Sequence, residues 1–250
     1  MKNISFYLFL FLFFSCGGEE YRNALRYEVK SYEESRCVEE VCASMSLSYP
    51  TYFGHQVDSS INGTIESLIT GVIAFEEPAE TMALAVSNYL DSFEKFSKEY
   101  GSFSDWFIDI DVQETFQNEE LLTILLSSSS FLGGAHPNSY QSIINFDIKR
   151  GEIVPLKGLK MDFGMLLELV EQKFRIYHEV AEGISLEEDG RFFLNNDQDF
   201  FLPGNMGFDK NGLLVIYNPY DIGPYVLGMT VIHLSWQELD GIVSPELKLK

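Results

Sequence analysis

Imidazole is the side chain best placed to exchange a proton near neutral pH, and the chain has four of them: His55, His136, His178 and His233. None lies four residues from another and none belongs to an HExxH pattern, so a helix-borne zinc site is not expected. His178 falls on a helical pattern and His233 on a strand pattern, where structural roles are the rule. His136 differs, because it stands in Gly133-Gly134-Ala135-His136-Pro137-Asn138, between the strand-like runs of the segment SSSSFLGGAHPNSYQSIINFDIKRGEIVPLKGL. The glycines can supply positive backbone angles, Pro137 fixes the next turn and Asn138 can bond its own backbone. Three roles are open to His136. Its ring can fasten the loop by hydrogen bonds, meet a partner, or act with nearby Asp147 as the acid–base pair of a hydrolase. No patterned Ser or Cys nucleophile accompanies it.

A second stretch, Tyr217-Asn-Pro-Tyr-Asp-Ile-Gly-Pro-Tyr225, packs three tyrosines, two prolines and one acid into nine residues. Such a segment makes a stiff aromatic surface with few rotamers to freeze, which suits a binding hot spot. Alternatively the tyrosines pack under a sheet and bond a backbone carbonyl. The candidate binding surface is therefore His136, Asn138, Tyr217, Tyr220, Asp221 and Tyr225. Asn195, Asn196, Asp197 and Asp199 form an oxygen-rich loop, but the glycine and terminal glutamate of a calcium-binding EF-hand are missing, so a solvated turn is expected. No phosphate-binding glycine loop, GxSxG elbow or paired CxxC occurs. No metal, cofactor or catalytic residue is assigned.

A net charge of -21 repels phosphate backbones, so nucleic acid is not an expected partner. The N-terminus carries an address. Met1-Lys2-Asn3 is a short basic region, Ile4 to Phe14 is an apolar run too short to span a bilayer, and Ser15 precedes Cys16. This resembles a bacterial lipoprotein signal in the looser form seen in Bacteroidetes, with residues 1–15 as signal peptide and Cys16 as the lipidated first residue. It implies attachment to the outer membrane through lipid, on its periplasmic or cell-surface side. Gly17-Gly18-Glu19-Glu20 resembles the export signal for the outer face. With Cys16 acylated, Cys37 and Cys42 remain as an even pair closing a short loop in an oxidising compartment, which predicts a Cys37–Cys42 disulfide, with free thiols as the alternative.

These residues must be positioned by a fold of α+β class, an antiparallel sheet with two main amphipathic helices. Residues 16–36 lack sustained periodicity and predict an acidic tether. Met45, Leu47 and Tyr49 alternate with serines as a half-buried strand. Asn62 to Ala74 predicts a short helix. Met82, Val86, Tyr89, Leu90, Phe93, Phe96 and Tyr100 predict a helix ended by Gly101, and Phe163 to Ala181 a second one stopped by Gly183. Strands are expected near 106–112, 121–130, 140–147, 153–156, 191–194, 212–217 and 229–234. Ser235-Trp-Gln-Glu238 has the form of a capping box and predicts a short final helix. The expected division is an N-terminal α+β region at 37–125 and a C-terminal α+β region at 126–250.

Gly133 to Asn138 with Asn145-Phe146-Asp147, and Phe208, Gly212, Leu213, Tyr217, Pro219 to Ile222, Pro224, Tyr225 and Gly228, resemble an extracytoplasmic domain family of unknown function. The LSYPTYFG run with Asn62 resembles its N-terminal partner region. The family is shared by PdaC-type peptidoglycan deacetylases and RsiV-type anti-sigma factors. The resemblance covers about residues 40 to 243. It implies the accessory domain alone, since neither the Asp and His metal motif of the deacetylases nor the cytoplasmic and membrane-spanning parts of the anti-sigma factors is expected here. In the anti-sigma relatives the domain resembles a receptor for lysozyme. The reading implied is a non-catalytic envelope binding module, with lysozyme or peptidoglycan as partner. The alternative is an envelope polymer hydrolase using the His136 loop.

Overall fold

The computed structural model describes residues 24–74, 78–101, 104–195 and 199–247. The signal peptide and Cys16 lie outside the described residues, as do Asn196 and Asp197. The elements include strands β1 (Arg26–Val38), β2 (Val41–Phe53), β3 (Trp106–Gln117), β4 (Leu121–Phe131), β5 (Asn138–Asp147) and β6 (Glu152–Ile153). These form one sheet in that order, antiparallel throughout except for β2 and β3, which run parallel. Helices α1 (Asp58–Ile73) and α2 (Met82–Tyr100) make the crossover between that pair. A second sheet holds β7 (Met206–Asp209), β8 (Gly212–Tyr217) and β9 (Thr230–Ser235), with α3 (Phe163–Tyr177) and the short α4 (Leu186–Asp189) beside it.

The first core lies between the large sheet and its helices. Met45, Leu47, Ile108, Ile110, Ile124 and Phe146 meet Ile61, Ile65 and Ile69 of α1 and Tyr89 and Phe93 of α2. Each such side chain, fully buried, contributes about 2 kcal/mol. Thr81 starts α2 by accepting from Leu84 N at 3.2 Å, and Gly101, at φ 88°, ends it. The second core joins Leu166, Val170 and Phe174 of α3 to Phe208, Leu213, Val215 and Leu234. A β-bulge at Glu114/Phe116 connects the two. Strand alternation aims Val112 into the first core; the extra residue flips the parity, so Phe116 enters the second, 5.6 Å from Phe208.

Side chains stand in for strands where the sheets meet. Thr115, the bulged residue, donates to Phe208 O at 2.7 Å, and Asn145 Nδ2 donates to Met206 O at 2.9 Å. In return, Asn205 accepts from Ile143 N at 2.7 Å and Asn218 accepts from Gln141 N at 2.8 Å, while both amides donate to Gln141 O. Gly207 lies so close that a Cβ there would come within 2.4 Å of Ile143 Cγ2 and 2.7 Å of Asn145 Oδ1.

Several expectations require correction. Arg26 to Arg36 are an edge strand rather than tether; both faces are exposed, which removes the alternation by which a strand is recognised. The tight Glu39-Glu40 turn then returns the chain into β2, and Cys37 and Cys42 face each other across it as a disulfide. A division after residue 125 would cut β4, which is whole and central. The predicted strand at 191–194 is not formed, and α3 stops at Tyr177, where His178 caps it. The Ser235–Glu238 bonds do form, with Glu238 accepting from Ser235 N at 2.9 Å, but they close a turn instead of opening a helix. Lys173 and this cap hold the Glu238 carboxyl down at about 2.

Two predictions follow from the packing. Gly207→Ala will lower stability by about 3 kcal/mol through overpacking, read by urea denaturation. Burial pushes the Glu114 carboxyl up to about 6 from 4.5, although Tyr52 donates its hydroxyl to it at 3.0 Å. A raised folded-state value favours the protonated form, so this stabilising contribution is complete below 4.5 and lost as pH rises through 6. Glu114→Gln will therefore be more stable than the parent above pH ~6, by about 1 kcal/mol given the partial exposure, and the gap will close below pH ~4.5.

Candidate functional site

The hairpin joining β4 to β5 carries the His136 turn. Gly133 adopts φ 76°, where a side chain would be strained, and a Cβ there would meet Trp106 Nε1 at 2.8 Å. The turn is thereby pressed onto the sheet. His136 stacks on Tyr225, ring centroids 3.8 Å apart and planes 24° from parallel. The Tyr225 hydroxyl donates to Pro137 O at 2.8 Å, and His136 Nδ1 lies 3.0 Å from the same oxygen. Tyr220, 58% exposed and at φ 73°, sits 5.8 Å from Tyr225. An accessible aromatic cluster of His136, Tyr220 and Tyr225 results.

The other expected surface residues divide. Asn138 is exposed and opens β5 opposite Ser130. Asp221 is exposed, and its carboxylate accepts from Asn218 N at 2.7 Å to hold the 218–221 turn. Tyr217 is a correction: it is fully buried in the second core, its hydroxyl donates to Phe201 O at 2.7 Å, and burial pushes its pKa up. Asp147 does not meet His136. The two stand at opposite ends of β5, roughly 30 Å apart at strand rise. The Asp147 carboxylate instead fastens its own turn, accepting from Lys149 N at 2.8 Å and Arg150 Nε at 2.9 Å.

Beside the aromatic cluster lies a groove of about 370 Å³ on the face of the large sheet away from α1 and α2. Its floor is made by register. Ser46, Asp109, Ser129 and Ser139 lie side by side across four strands, and Ser48, Asp111, Ser127 and Gln141 form the next row. Neighbouring strands are about 4.8 Å apart, so each row presents a ladder of hydroxyl, carboxylate and amide groups. Gln113 donates to Asp111 at 2.6 Å and Gln141 donates to Ser127 at 3.2 Å. Met229, just beyond the Tyr225 turn, lines the groove too, which ties it to the aromatic end. The serines and aspartates of this floor were not singled out as a site in the sequence. Their alternation with buried neighbours was visible, but the pairing of strands sixty residues apart was not.

Two other imidazoles are occupied. His178 is buried with Nε2 2.9 Å from Thr230 Oγ1, and burial holds its pKa below the ordinary value. His233 Nε2 lies 3.1 Å from Asp209 Oδ1. Among the described residues, no three His, Cys, Asp or Glu side chains gather where they could hold a metal ion. A bigger hollow, about 710 Å³, lies between the end of α1 and the start of α2.

Replacing Tyr225 with Ala will remove the stack and the bond to Pro137. The His136 ring protons will lose their upfield ring-current shift in NMR spectra, while stability falls by only about 1 kcal/mol.

Residues 37–139 match the family model for the deacetylase PdaC, and residues 160–237 match a protein family of unknown function, DUF3298. No curated protein matches the chain. A solved DUF3298 family member from Bacteroides fragilis is 18% identical with a TM-score of 0.66, covering 90% of this chain and 95% of that one. A DUF3298 family protein from Pseudomonas aeruginosa PAO1 is 20% identical with a TM-score of 0.63, covering 90% and 97%. The chain thus joins a PdaC-matching region to a DUF3298-matching region and takes the fold of solved DUF3298 proteins.

Proposed function

We propose that the protein is a non-catalytic binding module of the bacterial envelope, anchored through lipid on Cys16, which holds a cell-wall glycan along the serine and aspartate floor of the groove. The observation that carries this reading is the pair of four-residue polar rows leading to the His136, Tyr220 and Tyr225 cluster. A sugar offers vicinal hydroxyls to carboxylates and serines, and an apolar ring face to an aromatic side chain. Lipid anchoring confines the module to the outer membrane surface, where weak affinity suffices. The hydrolase alternative is not favoured, because His136 has no carboxylate partner in Asp147 and its Nδ1 lies against the backbone of its own loop.

A basic protein such as lysozyme is a second reading, supported by the net charge of -21, which would steer a cationic partner. Calorimetric titration of the unlipidated chain with peptidoglycan fragments and with lysozyme, each at low and raised salt, separates the two. Saturable binding of fragments, weakened at least tenfold by Asp109→Ala or Tyr225→Ala and little affected by salt, is expected. Binding of lysozyme alone, fading with salt, would replace the glycan reading with the protein one. Binding of neither would remove both.

A further inference from the structure

The outer edge of β1 is the longest unpaired stretch of main chain among the described strands. β1 is thirteen residues long, lies at the end of the six-stranded order, and has only β2 as a strand partner among the described residues. Every residue from Arg26 to Ser35 is exposed, including Tyr27, Val29 and Tyr32. A free edge of this length is a template for another strand unless charge, proline or a bulge blocks it. β1 contains no proline and pairs with β2 without a register shift. Its charges are distributed in a way that selects one partner.

We propose that β1 pairs antiparallel with β1 of a second copy about Tyr32, extending the six-stranded sheets of two protomers into one of twelve strands. A two-fold axis normal to the sheet keeps like faces together, so the partner strand can slide only in steps of two residues. With Tyr32 opposite itself, the full lengths of both strands overlap, because Arg26 then meets Val38. In that register Glu28 faces Arg36 and Lys30 faces Glu34, each twice by symmetry, and no like charges meet. One step either way is repulsive. Centring on Ser31 sets Arg26 against Arg36 and Glu28 against Glu34; centring on Glu33 sets Lys30 against Arg36 and Glu33 against itself. Opposite-charge pairs across strands stabilise and like charges directly opposite destabilise, so maximal overlap and best charge register coincide. Arg36 already meets Asp91 and Glu94 of α2, whereas Lys30 has no ion-pair partner among the described residues. Lys30 facing Glu34 of the partner subunit is therefore the pair that dimerisation completes.

Sedimentation equilibrium on residues 24–250, which contain both cores whole, tests the pairing. The parent is expected to dimerise reversibly at micromolar concentration. Lys30→Glu and Glu34→Lys should each weaken the dimer at least tenfold, since each sets like charges opposite. The double variant should restore parental affinity. Melting temperatures report whether each variant still folds. A parent that stays monomeric to millimolar concentration, single variants with parental affinity, or a double variant that fails to recover would each overturn the proposal.

Discussion

Strands β5 and β7 face each other across the seam without pairing, and the amide side chains of Asn145, Asn205 and Asn218 make that possible by bonding their edge main chain. A buried peptide group without a partner costs about 1–3 kcal/mol, and the free edges of β5 and β7 would bring several such groups into the seam. An asparagine carries at the tip of a short chain the carbonyl acceptor and N–H donor of a peptide unit, with a second N–H donor besides. Asn205 and Asn218 use theirs on Gln141 and Ile143, and Asn145 on Met206. The two cores are locked at one relative angle in this way, and the bulge at Thr115 and the bare Gly207 fit the same contact. The aromatic cluster depends on it, because His136 belongs to one sheet's hairpin and Tyr225 to the other sheet's loop.

Much of this was legible in the chain, and the failures have physical reasons. The helices at 82–100 and 163–177 follow from apolar spacing and end groups, and the half-buried strands from alternation. β1 was missed because alternation requires one wet and one dry face, and both of its faces are wet. Of the seam asparagines only Asn145 was legible, as a family motif residue; Asn205 and Asn218 were not, since nothing local says that Asn218 caps a strand seventy-seven residues away. Tyr217 and Tyr225 read alike as sequence; the first fills a core and the second stacks at the surface. His136 and Asp147 seemed close because they are eleven residues apart, but a fully extended strand between them turns that proximity into distance.

The candidate site is correspondingly a property of register. No residue of its floor is unusual alone. Ser46 and Ser48 acquire meaning only when parallel pairing sets them beside Asp109 and Asp111, and antiparallel pairing adds Ser129 and Ser127. A slip of one residue in β3 would exchange the carboxylates for Ile108 and Ile110. Core packing and surface chemistry are thus held by one constraint.

The parallel pairing of β2 with β3 also shapes how the chain reaches this state. Its partners, Ala43 with Trp106 through Ser48 with Asp111, are sixty-three residues apart, whereas β1 with β2 and β3 with β4 and β5 close through short turns. Local hairpins close in microseconds, but a long loop must lose its entropy before the parallel ladder repays it. The two antiparallel modules are therefore expected to form first, with the helical crossover drawing them together late. The rate-limiting step of folding is then expected to be the event that aligns the serine and aspartate rows, which would make the groove among the last features of the molecule to form.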